Sequence, residues 1–147
     1  MDAAAVRAQV LRLFEVWNGA SRETLDELYC ADFEADYRPY APIRYGLEGI
    51  RTMIDGARTS FPDYHEELLD LICSEDRAAV RLRISFTHTA PWGPIQPTGK
   101  HISYEEMLML TFRDGKVSSQ RGIVDNLSAI RQLGVVATPP GQSAARD

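Results

Sequence analysis

Metal ligands and covalent staples are scarce in this chain. Its 147 residues include two cysteines, Cys30 and Cys73, and three scattered histidines. Two thiols so far apart make no disulfide framework and fit a reducing cytoplasm. His65-Glu66-Glu67 lacks the second histidine of a zinc helix, so no metal site is expected. Basic excess is missing too: 16 Lys+Arg stand against 21 Asp+Glu, a formal charge of −5. A protein without surplus cations has little to neutralise a phosphate backbone, which argues against nucleic acid as partner. No apolar run is long enough to cross a bilayer. Met1-Asp2-Ala3 has no basic region leading into an apolar run, so no signal peptide is expected. What is there is ordinary for a globular domain, with 44% apolar and 25% charged residues. The length suits one domain with a core that needs no staple. The expectation is a single cytoplasmic domain over 1–137, with a disordered tail over 138–147 that is rich in proline, glycine and small residues.

Hydrophobic period changes from 3.6 to 2 along the chain. Asp2 reads as the N-cap of a helix carrying Val6, Val10, Leu13, Phe14 and Trp17, ended by Asn18-Gly19. A short second helix runs from Ser21, with Leu25, Leu28 and Tyr29 on one face. Asp32 to Tyr45, with two prolines and four aromatics, reads as a short strand and a loop. Leu47 to about Ser60 reads as a third helix, broken at Phe61-Pro62-Asp63. Strands are then expected over 65–73, 78–89, 101–112 and 117–124, with a Pro/Gly-rich loop over 91–99. Asp114-Gly115 between two alternating runs signals a hairpin. A short helix over 126–133 closes the domain. Helices first and a strand meander second give an α+β fold with helices on one face of an antiparallel sheet.

Strand alternation places polar residues on the apolar face. Val80, Leu82, Ile84 and Phe86 share one face, which His88 continues. Leu108, Leu110 and Phe112 mark the inner face of the next strand, and the same parity brings in Tyr104 and Glu106. Val117 and Ile123 set the parity of the last strand, and Arg121 and Asp125 fall with them. Burying a lone carboxylate is costly, so this set implies either a polar-lined cavity or a paired internal network. In a cavity, such surroundings move a carboxyl group into the range for acid/base work. In the alternative, Asp125 caps the closing helix, Glu106 and Arg121 form an ion pair, and His88 is a hydrogen-bonded strand end.

Other motifs carry less. Gly93 to Lys100 ends in Thr98-Gly99-Lys100, but its spacing, its prolines and His101 in place of Ser or Thr exclude a phosphate loop. No serine elbow occurs, and neither cysteine has a histidine close in sequence. Asn126-Leu127-Ser128 matches a glycosylation sequon that has no meaning without secretion. Arg81 and Arg83 are expected on an outer, solvated or subunit-facing sheet surface.

Several short motifs in order resemble the SnoaL-like polyketide cyclases. They are Gly46-Leu47-Glu48-Gly49-Ile50-Arg51, Phe61-Pro62-Asp63, Asp76-Arg77 through Arg81, Thr87-His88-Thr89 and Pro97-Thr98-Gly99-Lys100, then Asp114-Gly115-Lys116 and Asp125 followed by Gln132-Leu133-Gly134. The resemblance spans about residues 10–136. It implies a cone-shaped α+β barrel of the nuclear-transport-factor-2-like superfamily, a curved antiparallel sheet wrapped on three N-terminal helices around a deep pocket. It also implies a homodimer or homotetramer formed through the outer sheet face, and a cofactor-free cyclase closing a ring by intramolecular aldol condensation, with Asp125 as acid/base. Arg121 departs from the bulky residue common at that position, and Ala90-Pro91-Trp92 replaces a glycine after Thr-His-Thr, which should narrow or lid the pocket mouth. On this reading His88, Glu106 and Arg121 assist Asp125. Tyr104, Trp92, Tyr40, Tyr45, Trp17, Phe86 and Leu108 line a pocket for a hydrophobic small molecule. Epoxide opening in the same pocket and a non-catalytic ligand-binding domain are the alternatives.

Overall fold

The computed structural model describes residues 1–136; the tail expected over 138–147 lies outside the described residues. Helix α1 spans Ala3–Trp17, and the Asp2 carboxylate caps it by accepting from the Ala5 N–H at 2.7 Å. A 3₁₀ turn, Arg22–Thr24, leads into α2, Leu25–Leu28. Tyr29, expected on that helix, instead opens strand β1, Tyr29–Asp36, which pairs with β2, Arg44–Tyr45. Helix α3 covers Gly46–Ser60, followed by β3 His65–Cys73, β4 Arg77–Thr87, β5 His101–Arg113, β6 Lys116–Val124 and α4 Asn126–Gln132.

The six strands form one open sheet in the order β2-β1-β6-β5-β4-β3. The last four make the expected antiparallel meander, but β1 runs parallel to β6, so the sheet is mixed. The β5–β6 hairpin turns at Asp114 and Gly115, both with positive φ (52° and 79°), as a two-residue turn of matching twist requires. The apolar stripes of α1 (Val6, Val10, Leu13, Val16) and α3 (Ile50, Ile54) join Val80, Leu82, Ile84 and Phe86 of β4 in one core, with α1 lying mainly on β3 and α3 on β1.

Four of the short motifs act in local clamps. The His88 N–H donates to Lys100 O at 2.8 Å and the Gly99 N–H returns to His88 O at 2.9 Å, closing the base of the 89–100 strap. The Asp63 carboxylate accepts from the Thr87 N–H (2.9 Å) and hydroxyl (2.6 Å), tying the start of β3 to the end of β4. Gln132 exchanges hydrogen bonds with the Ser103 backbone (3.0 and 2.8 Å), docking α4 on β5.

Among the described residues no helix is long and apolar enough to cross a membrane, and no group of three His, Cys, Asp or Glu is placed to hold a metal ion.

Candidate functional site

A cavity of about 250 Å³ lies between the concave sheet face and the helices. Its wall is aromatic and aliphatic: Phe14 and Trp17 from α1, Met53 and Ala57 from α3, and Val80, Leu82, Ile84, Leu108 and Leu110 from the sheet. The exposed lining residues Tyr40 and Pro42 mark its mouth. Into this apolar surface project two carboxyl groups, Glu106 from β5 and Glu66 from β3.

Glu106 stands in register with Leu82 and Val124, both on the cavity side, and is 6% exposed. The Tyr37 hydroxyl donates to its Oε1 at 2.6 Å, and Gln120 Nε2 donates in turn to the Tyr37 oxygen. Glu66 accepts from the Tyr64 hydroxyl at 2.7 Å. The cavity therefore holds two carboxyl–phenol pairs. Burial raises the Glu106 carboxyl to about 7, opposed by the Tyr37 hydrogen bond. Burial, and then repulsion from Glu106, raise Glu66 to about 8, opposed by Tyr64. Tyr37, Tyr64, Tyr104 and Tyr29 are all pushed up, mainly by burial, so these phenols stay protonated donors. Near neutral pH one carboxyl can accept a proton while the other still carries one. This is how two carboxyl groups in one site come to play different parts.

The expected residues divide into those the fold gathers and those it sets aside. Glu106, Tyr104, Trp17, Tyr40 and Leu108 line the cavity. Trp92 stacks on Tyr104 (6.0 Å between centroids, 20° between planes) and donates from Nε1 to the Tyr40 hydroxyl at 3.3 Å, so it braces the mouth from behind. Phe86 is core, stacked on Phe61 at 4.0 Å and outside the lining. Tyr45 is 61% exposed: β1–β2 register pairs it with Glu34, on the face away from the cavity.

Arg121 also points outward, contrary to the parity expectation. A β-bulge between the Phe112–Val117 and Thr111–Ser119 pairs inserts Ser118 and reverses the alternation of β6. Beyond it Gln120 and Gly122 face inward, while Arg121 pairs with Asp36 (3.2 Å) on the outer face. His88 is fully buried but does not line the cavity. Its Nδ1 accepts from the Thr98 N–H at 3.1 Å, which makes it a strap anchor at the end of β4. Asp125 lies between the lining residues Val124 and Asn126, and its Oδ1 accepts from the Ser128 N–H at 3.1 Å as the N-cap of α4. It is not itself a lining residue.

Sequence reasoning missed Glu66, Tyr37, Tyr64 and Gln120. The first has a signal in the sequence: Tyr64, Glu66 and Leu68 alternate with His65 and Glu67, which the structure exposes. Tyr37 was hidden in the segment expected to be a loop, and Gln120 by the bulge.

The fold has known counterparts. The family model of SnoaL-like polyketide cyclases matches residues 8–133, and the chain belongs to that family. Its fold is shared by IdmH of Streptomyces antibioticus, a candidate polyketide cyclase, at 26% identity over 88% of this chain and 98% of that one, with a TM-score of 0.78. TsrD of Streptomyces laurentii superposes with a TM-score of 0.82 at 23% identity, covering 92% and 99% of the two chains. AclR of Streptomyces galilaeus, a candidate hydroxylase, reaches 0.80 at 23% identity over 95% and 91%. No curated protein matches the chain.

Proposed function

We propose that this protein is a cyclase that closes a ring in a hydrophobic, oxygenated natural product by acid/base catalysis without a cofactor. The observation that carries the proposal is the presence of two carboxyl–phenol pairs, Glu106–Tyr37 and Glu66–Tyr64, in one apolar cavity. In an intramolecular aldol step, the Glu106 carboxylate removes a proton from carbon next to a carbonyl. The resulting enolate carbon bonds to the second carbonyl carbon of the same molecule. Protonated Glu66, or Tyr64 backed by it, delivers a proton to the new alkoxide. The wall holds the tethered ends in bonding geometry, which supplies much of the acceleration for an intramolecular step. Family membership supports ring closure as the reaction class.

The resemblance gives the proton-transfer part to Asp125, whereas the cavity geometry favours Glu106. Glu106→Gln and Asp125→Asn, assayed side by side on a tethered diketone whose aldol closure gives a 3-hydroxycyclohexanone, separate the two. Loss confined to Glu106→Gln supports the present assignment, and loss confined to Asp125→Asn returns the role to the helix cap. Epoxide opening is the second reading, favoured by the same pairs, since a protonated carboxyl can push on an epoxide oxygen while a carboxylate activates the nucleophile. Oxygen from labelled water in the product would identify hydrolytic opening. A non-catalytic ligand-binding domain predicts that Asp125 and Glu106 are fully paired and inaccessible, and Glu106 reaches the cavity.

The outer sheet face fits a homodimer. Ile123 (79% exposed), Ile72, Met107 and Met109 cluster there, in register across β3 to β6 through Ala79 and Arg81. The Arg81–Glu105 and Arg83–Glu67 pairs lie alongside on the same face. Contiguous apolar surface with charged neighbours suits a subunit interface.

A further inference from the structure

Arg44 is the cation among the residues lining the cavity. The β1–β2 register pairs it with Ala35, a buried cavity-wall residue, and so turns it inward while its neighbour Tyr45 turns out. Its stem is fixed from the other side. Gly49, in the first turn of α3, lies so close that an added Cβ would sit 3.4 Å from the Arg44 Cβ and carbonyl carbon. Arg44 is half-buried, yet among the described residues no carboxylate lies within ion-pair distance of its guanidinium. The acids of the neighbouring strand β1 are turned away: Asp36 binds Arg38 (2.9 Å) and Arg121 (3.2 Å), and Glu34 stands opposite Tyr45 on the outer face. Arg81, Arg83 and Arg113 of the sheet have acidic partners, and Arg77 at the start of β4 is exposed to solvent. Partly desolvating a guanidinium without a counter-charge is unfavourable, so a structure that does so beside a ligand cavity leaves the partner to be supplied by the ligand.

We infer that Arg44 is a specificity-determining residue that binds a planar oxyanion of the substrate, a carboxylate or the enolate of an acidic dicarbonyl, at the cavity mouth. The apolar body of the substrate then extends past Trp17 and Leu108 toward Glu106. This rests on reading the cavity as the substrate site. Its size sets a bound as well: about 250 Å³ is slightly below the roughly 300–1,000 Å³ of common ligand pockets, which favours a substrate of few rings.

The test is calorimetric binding of two flat probes of equal shape, 2-naphthoate and 2-naphthamide, to the full chain. The wild-type protein is expected to prefer the carboxylate by about tenfold, the worth of one charge-assisted hydrogen bond. Arg44→Gln should erase that preference and leave naphthamide binding unchanged, while Arg44→Lys should restore part of it. Equal binding of the two probes to the wild type, absence of naphthoate binding, or a preference that survives Arg44→Gln overturns the inference. Because binding is read without turnover, Glu106→Gln should keep the preference. Failure of the Arg44 result therefore leaves the ring-closure reading standing, and an active Glu106→Gln variant sinks ring closure by Glu106 without touching Arg44.

Discussion

Glu106 and Asp125 show how differently two carboxyl groups of one chain can be employed. Glu106 sits in an apolar wall with one phenol as hydrogen-bond donor, and burial raises it to about 7. Asp125 accepts the Ser128 N–H as the N-cap of α4. Glu106→Gln should therefore lower turnover by about a hundredfold to ten-thousandfold, the usual worth of a general acid or base, with the circular dichroism spectrum unchanged. Asp125→Asn keeps a good cap and should leave the melting temperature unchanged, whereas Asp125→Ala should cost about 1 kcal/mol in denaturant unfolding. Gly122 reports on the same site from β6. A Cβ there would meet the Tyr37 ring and lie 2.7 Å from Glu106 Oε1, so Gly122→Ala should displace both. The expected result is a loss of activity comparable to Glu106→Gln together with a lower melting temperature.

At the scale of elements, one bulge decides which residues reach the cavity. Alternation read from Val117 and Ile123 assumes an unbroken β6, and Ser118 breaks it. That is why Gln120 replaces Arg121 inside, and why Ile123, an apolar residue by type, is exposed. Where alternation is unbroken the reading held: β4 and β5 place Leu82, Ile84, Tyr104 and Glu106 inward as their period indicates. Helix α1 and its Asp2 cap, helix α3 and the Asp114-Gly115 turn were likewise legible, because each is set by local chemistry. The parallel β1–β6 pairing was not, since it joins segments far apart in sequence and leaves no local signature. The strap over 89–100 behaves as an element of its own. His88→Ala, which removes the Nδ1 acceptor of the Thr98 N–H, should loosen it and speed amide hydrogen exchange around Trp92.

For the whole molecule, the two raised carboxyl groups couple stability to pH. Both bind protons more tightly when folded (about 7 and about 8) than when unfolded (about 4.5). Their contribution is complete below about pH 4.5 and is lost as pH rises through 7 and 8, by at most about 1.4 kcal/mol per pH unit for each group. The lowered carboxyls, Asp36 and Asp63, act in the opposite direction and only at acid pH. Unfolding free energy should therefore fall between about pH 4.5 and about pH 8, and the Glu66→Gln/Glu106→Gln double variant should flatten that slope. Assembly is checked separately: Met107→Glu with Ile123→Glu should convert a dimer to a monomer by light scattering, with secondary structure retained.

Titration of the glutamate side chains by carbon-13 NMR, using protein labelled at the carboxyl carbon, tests the shared cavity most directly. Two resonances should titrate at about 7 and about 8, one vanishing in Glu106→Gln and the other in Glu66→Gln. Removing Glu106 should also lower the midpoint of Glu66, because ionised Glu106 repels the charge that forms there. If every glutamate instead titrates close to the ordinary 4.5, the cavity holds two plain carboxylates and the proposed division into base and acid is wrong.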